Sequence, residues 1–213
     1  MDYLFERRSY LFDVHAEPRG ESGCTLVGTP IVYNNPADIA KLFREVIDQG
    51  ALNGADLTDV PLIVNHNTSM IPVARSRRNT PNSTLRLIPT EQGLSFEADL
   101  DTEENMTARE LASAVSRGDI TGMSFRFSVR DAKWEGLRSA YPTRHVKKIG
   151  RIAEISAVTF PAYDATQISV RSREALESAR SVLENARQEY RILLESRAKD
   201  LELEKLKIEI LTK

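Results

Sequence analysis

Up to about residue 171, apolar residues come in short runs broken by turn residues; beyond it they recur at helical spacing. Residues 10–16 alternate partially and predict a short strand, and 25–33 form a second apolar run closed by the turn Asn34-Asn35-Pro36. Residues 38–46 carry spacing compatible with a helix. Residues 60–64 are an apolar strand that runs straight into Asn65-His66-Asn67. Residues 85–88 and 94–100 read as two strands joined through Pro89-Thr90-Glu91-Gln92-Gly93, a hairpin. In the second of these, Leu94, Phe96, Ala98 and Leu100 alternate with Ser95, Glu97 and Asp99, so one face meets water. Residues 107–117 place Ala108, Leu111, Ala112 and Val115 on one helical face and end at Gly118, a helix stop. Residues 120–129 and 151–160 complete the set as strands. Many short strands with few helices predict an α+β, mainly β domain over residues 1–171, built as a small barrel or a strongly bent sheet.

The segment from Ser172 to Lys213 differs in kind. It contains none of the 10 glycines or 9 prolines, and its 9 acidic and 9 basic residues are interleaved with Leu, Ile, Val and Ala. It predicts one long helix, about 60 Å at 1.5 Å per residue. Leu176, Ala179, Leu183, Ala186, Tyr190 and Leu193 follow a 3–4 spacing, and the seam then shifts to Leu194, Ala198, Leu201 and Ile208. A broken heptad of this kind predicts a partner helix or a self-associating arm; the plainer alternative lays the helix on its own domain.

Composition narrows the function classes. Across 213 residues, 41% are hydrophobic and 28% charged, enough to build a core. With 29 Lys+Arg against 31 Asp+Glu, no global basic excess advertises nucleic acid. No apolar run is long enough to span a membrane, and residues 1–10 lack the apolar stretch of a secretory signal. The single cysteine, Cys24, rules out an intrachain disulfide and multi-cysteine zinc sites, and fits a reducing cytoplasm. No phosphate-binding glycine loop appears, and none of the three histidines has metal-ligand spacing, so neither cofactor nor metal is expected. The clusters Arg75-Ser76-Arg77-Arg78 and Arg144-His145-Val146-Lys147-Lys148 are the candidate basic patches; the first reads as a loop.

Three residues carry candidate chemistry. His66 follows an apolar strand directly and is flanked by Asn65, Asn67, Thr68 and Ser69, which holds an imidazole firmly beside a cleft; otherwise it is a turn histidine with local hydrogen bonds. Ser124 follows Gly122-Met123. Alternation puts it with Arg126 and Ser128 on one face, with Met123, Phe125 and Phe127 on the other. A serine becomes a useful nucleophile when a base within reach takes its proton, and His66 is the best base in this chain. Glu154 interrupts an apolar run, where a carboxylate is costly unless paired; it either orients a histidine or faces solvent or Arg151.

Taken together these segments resemble the tailed-phage (caudovirus) prohead serine proteases. The likeness covers about residues 8–172. Its landmarks are Arg8-Ser9-Tyr10, Phe43-Arg44-Glu45-Val46-Ile47, Gly50-Ala51-Leu52, Asn65-His66-Asn67, the hairpin through Gly93–Leu100, Arg117–Phe125, and Glu154–Tyr163. The resemblance implies a small bent β-barrel ringed by a few helices, similar to herpesvirus maturation proteases. It implies a serine nucleophile at Ser124, a histidine base at His66 and, by position, Glu154 as third member, where the herpesvirus relatives carry histidine. Those relatives support the oxyanion with an arginine pair, where this chain has Ala162-Tyr163. Main-chain N–H groups around Met123 and Phe125 or near Ala162, or the side chain of Arg126, are the substitutes.

The implied activity is a serine endopeptidase that cuts the scaffolding segment of the major capsid protein, any separate scaffold, and itself, inside the assembling prohead in the bacterial host. The enzyme would then be lost from the mature virion. The alternative is a non-catalytic scaffold or assembly protein that retains the protease fold. A nucleic-acid module on the two basic clusters is the third reading, against which the near-neutral charge argues.

Overall fold

The structure, a computed structural model, describes residues 5–11, 14–19, 23–159 and 170–211. Its strands are β1 (Phe5–Leu11), β2 (Val14–Arg19), β3 (Gly23–Val32), β4 (Ala37–Ile39), β5 (Phe43–Ile47), β6 (Asp59–Val64), β7 (Ala74–Arg77), β8 (Leu85–Pro89), β9 (Gly93–Leu100), β10 (Gly122–Glu135) and β11 (Thr143–Val158). Helix α1 (Met106–Ser116) separates β9 from β10, and α2 (Val170–Leu211) ends the described chain. The protein is therefore mainly β, as its alternation predicts. The strands form a seven-stranded sheet, with the path β1-β10-β11-β5-β4, β6 joined to β11 and β7 to β6, and a four-stranded sheet ordered β2-β3-β9-β8. Among the described residues neither set of pairings closes on itself, and α1 and α2 are the only helices.

The core lies between the two sheets. Met123, Phe125 and Phe127 of β10 and Ile152, Ile155 and Ala157 of β11 meet Leu26, Ile31, Leu94 and Phe96 from the other sheet. Helix α1 buries Ala108, Leu111, Ala112 and Val115, the face its 3.6-residue period predicts. Asn105 caps it, its side chain accepting the Ala108 amide at 3.1 Å, and Gly118 follows with φ of 75°.

The long hairpin β10–β11 is the spine. Register shifts between Arg126 and Ala132 bend it. The bend lets β11 pair in parallel with two strands at different points, β5 beside Thr143–Val146 and β6 beside Ile155–Ala157. Both hairpin strands outrun the predicted 120–129 and 151–160.

Three expectations change. The spacing over 38–46 does not make a helix: β4 and β5 form a hairpin turned by Ala40 and Lys41, both at positive φ. Pairing with β11 and the burial of Phe43, Val46 and Ile47 outweigh local propensity there. Residues 10–16 are not one strand, since β1 pairs with β10 and β2 with β3, in different sheets. Arg75 to Arg77 lie in β7, not in a loop, with Arg75 forked onto Asp59 at 2.7 Å through both nitrogens.

A buried ionic cluster ties three strands together. Arg8 of β1 donates to Glu45 of β5 at 2.5 and 2.9 Å and to Glu6 at 2.5 Å. Arg144 of β11 donates to Glu6 at 2.7 and 2.9 Å and to Glu45 at 3.0 Å. Burial works to raise the Glu6 carboxyl, but Arg8 and Arg144 hold it below the ordinary glutamate range. The guanidinium of Arg8 also lies over the Phe127 ring at 5.7 Å, so the cluster sits on the inner face of the sheet.

Among the described residues, the contacts that lay helix α2 on the domain come from its first half. Ala179 and Leu183 pack on Phe43, with Ile39, Leu42, Trp134 and Leu137 around them. Arg187 donates to the carbonyls of Leu137 at 3.3 Å and Ser139 at 2.9 Å. Beyond Tyr190 nearly every described side chain is exposed, including Ile192, Leu201, Leu206 and Ile208.

Candidate active site

The polar face of the β10–β11 pair assembles the candidate residues. Directly opposed residues of antiparallel strands share a face, and here Ser124 opposes Ser156 while Arg126 opposes Glu154. The hydrophobic partners, Met123 against Ala157 and Phe125 against Ile155, take the opposite face into the core. Ser124 and Glu154 are thus diagonal neighbours, about 7–8 Å apart at Cα.

His66 reaches this face from β6. The chain leaves β6 through a tight turn closed by the Asn67 amide on the Val64 carbonyl at 3.0 Å. Asn65 and His66 both have positive φ, 51° and 57°. Asparagine tolerates that region; for histidine it costs about 1–2 kcal/mol, strain of the kind found at functional sites. Three contacts to β11 and its end hold the turn. The Asn65 amide donates to the Ala157 carbonyl at 2.8 Å, its side chain exchanges hydrogen bonds with Thr159 at 3.0 Å, and the His66 amide donates to Ser156 Oγ at 2.9 Å.

The imidazole then meets Glu154. His66 Nδ1–H donates a hydrogen bond to Glu154 Oε1, the carboxylate being 3% exposed and the ring 13%. An ionised carboxylate only accepts, so this contact fixes the proton on Nδ1 and leaves Nε2 as the basic nitrogen. Arg151, the other partner weighed for Glu154, instead opposes Ser128 and lies 3.7 Å from Asp56.

Ser124 is fully buried, and its hydroxyl donates to the main-chain carbonyl of Arg8 on β1 at 2.9 Å. Among the described residues no hydrogen bond joins that hydroxyl to the His66 ring. The structure therefore brings His66 and Glu154 into contact and puts Ser124 one strand away on the same face, its proton turned toward β1.

The remaining candidates scatter. The main-chain N–H groups of Met123 and Phe125 belong to a strand paired on both edges, where the ladder consumes such donors. Arg126 keeps to the Ser124 face, its guanidinium 5.0 Å from the Phe5 ring centroid. Ala162 lies outside the described residues. His15 is exposed beside Glu17, and His145 bonds Asp48 at 2.9 Å. Burial pushes the Cys24 thiol up, away from the reactive thiolate. Within the two basic clusters Arg75 pairs with Asp59, Lys147 with Asp48, and Arg144 with Glu6 and Glu45.

Two participants escape the reading of residues. Ser156 sits two positions after Glu154, so period-two alternation already aligns it with the site. The Arg8 carbonyl has no sequence signal, because any residue supplies one.

The family model of the caudovirus prohead serine proteases matches residues 12–180. The chain belongs to that family. No curated protein matches it significantly, and neither does any solved structure. The prohead protease family implies a serine peptidase of phage maturation, associated with capsid proteins inside the assembling prohead in the host. The match ends within α2, at the point where Ala179 packs on Phe43. No described helix is long and apolar enough to cross a membrane.

Proposed function

We propose that this prohead protease is an endopeptidase with Ser124 as nucleophile, His66 as base and Glu154 as the carboxylate that orients it. The observation that carries the assignment is the hydrogen bond from His66 Nδ1 to a buried glutamate on the same sheet face as the serine. Burial makes the pairing decisive, since an unpaired carboxylate there is strongly disfavoured.

In the proposed mechanism the Ser124 hydroxyl swings from the Arg8 carbonyl to His66 Nε2. Oγ then attacks the peptide carbonyl carbon while its proton passes to Nε2, and Glu154 stabilises the imidazolium. His66 returns that proton to the leaving amine, and water deacylates the enzyme by the same route. Arg126, or a main-chain donor in the segment that contains Ala162, supplies the oxyanion contact. The substrates are the scaffolding segment of the major capsid protein, any separate scaffold, and the enzyme itself, which is then lost from the mature particle. Confinement at high local concentration lets a slow enzyme suffice. The bent-barrel architecture of herpesvirus maturation proteases belongs to the same proposal, as does a division into a protease domain over 1–171 and a helical arm over 172–213. The exposed second half of α2 suits docking to scaffold or capsid helices, or self-association.

One observation favours the alternative of a non-catalytic assembly protein: Ser124 is fully buried and bonded to Arg8 rather than to His66. Co-expression with the capsid protein separates the two readings. The unmodified enzyme gives shortened capsid protein and scaffold by mass spectrometry, and Ser124→Ala leaves both at full length. Identical masses in both experiments establish the assembly protein.

A further inference from the structure

The geometry points to Ser156 as a positioning residue for the His66 imidazole, an inference that rests on the protease reading above. The amide of His66 has left the β6 ladder and needs an acceptor. Ser156 Oγ provides it at 2.9 Å, and the same hydroxyl donates to the Ile63 carbonyl at 3.2 Å. A fully buried hydroxyl thus clasps both sides of the left-handed turn, with its one proton and one lone pair committed.

Location makes this more than a satisfied core serine. Ser156 lies directly opposite Ser124, two residues from Glu154, and in register with Ile63 of β6. One stretch of β11 therefore fixes the ring through Glu154 and the main chain through Ser156. These are two separated points on one histidine, enough to set where Nε2 points. The left-handed φ of His66 explains the need: a strained turn relaxes unless tertiary contacts over-determine it. Without the hydroxyl, the turn shifts and the half-buried His66 amide and the Ile63 carbonyl each lose a partner. A displacement of about 1 Å at a catalytic base costs roughly 100-fold in rate.

Three variants test this in the full chain: Ser156→Ala, Ser156→Thr and Ser156→Val. Threonine and valine add the same methyl bulk, and only threonine keeps the hydroxyl. Two readouts are measured. The first is the rate of Ser124 labelling by a fluorophosphonate, resolved into the rate at saturation and the saturation constant. The second is the low-field proton resonance of His66 Nδ1–H, which reports the Glu154 contact whether or not Ser124 reacts. The expected result is a saturating rate lowered roughly 10- to 100-fold in the alanine and valine variants, with the saturation constant little changed. Their Nδ1–H resonance is lost to exchange, and threonine retains both signals. Alanine and valine variants with the original rate and resonance overturn the inference. If the unmodified protein is not labelled but its resonance responds as stated, the protease reading falls and the positioning role stands.

Discussion

Replacing Arg144 with methionine removes one of two cations from a cluster that also holds two carboxylates, Glu6 and Glu45, at 3% and 0% exposure. The intact cluster is neutral; the variant leaves one buried negative charge without a partner. Arg144 gives three hydrogen bonds to these carboxylates, at 2.7, 2.9 and 3.0 Å, and methionine replaces the aliphatic stem but none of the bonds. Breaking a buried ion pair from one side costs about 3–5 kcal/mol, against about 0–1 kcal/mol for an exposed pair. For a chain of this size that lowers Tm by roughly 6–20 °C.

The pH dependence carries a signature. In the intact protein, burial raises the Glu6 carboxyl while the two arginines pull it below the unfolded value. Its stabilising contribution is therefore full above the ordinary glutamate range and is lost as pH falls through the lowered value. Without Arg144, burial prevails and one carboxyl takes up a proton in the folded state at higher pH. The penalty of the variant is then largest at pH 7 and shrinks toward pH 4. Urea unfolding at both values measures it, and adding Glu6→Gln, which restores neutrality, recovers more than half of the loss at pH 7. A loss below about 1 kcal/mol, or one equal at both pH values, refutes the reasoning.

Glu154→Gln removes the acceptor that holds the proton on His66 Nδ1, so fluorophosphonate labelling of Ser124 falls on the order of 1,000- to 10,000-fold; a rate within threefold of the original refutes Glu154 as the orienting acid. Truncation before Ser172 uncovers the packing of Ala179 and Leu183 on Phe43 and costs about 3–6 kcal/mol, at 1.5–3 per large side chain, whereas truncation after Tyr190 leaves the urea midpoint unchanged. Gly93→Ala puts a Cβ 1.9 Å from the Ile31 carbonyl oxygen, so the β3–β9 pairing must open; denaturation should show a loss above about 3 kcal/mol. Loss of packaging into the prohead with retained labelling is the expected phenotype of truncation after Tyr190, read by gel analysis of purified particles.

What the sequence alone determines is local. Alternation over 94–100 sets which residues of β9 face the core, because a strand's period of two belongs to the strand itself. Ala108, Leu111, Ala112 and Val115 with Gly118 behind them fix α1, and the absence of glycine and proline after 172 fixes α2. His66 at a strand end and Ser124 on a polar face are legible in the same way. Partners are not, since pairing energy depends on residues far apart along the chain. Glu154 reads equally well as a solvent-facing residue until folding brings it 88 positions to His66, and Arg144 reads as part of a surface basic patch until it meets Glu6 across 138. The same distinction decides 38–46, where helical spacing is real but the edge of β11 offers hydrogen bonds and burial that an isolated helix does not. The tertiary structure also decides what the Ser124 hydroxyl touches, because the carbonyl of Arg8 is brought there by the register of β1 on β10 and carries no side-chain signature.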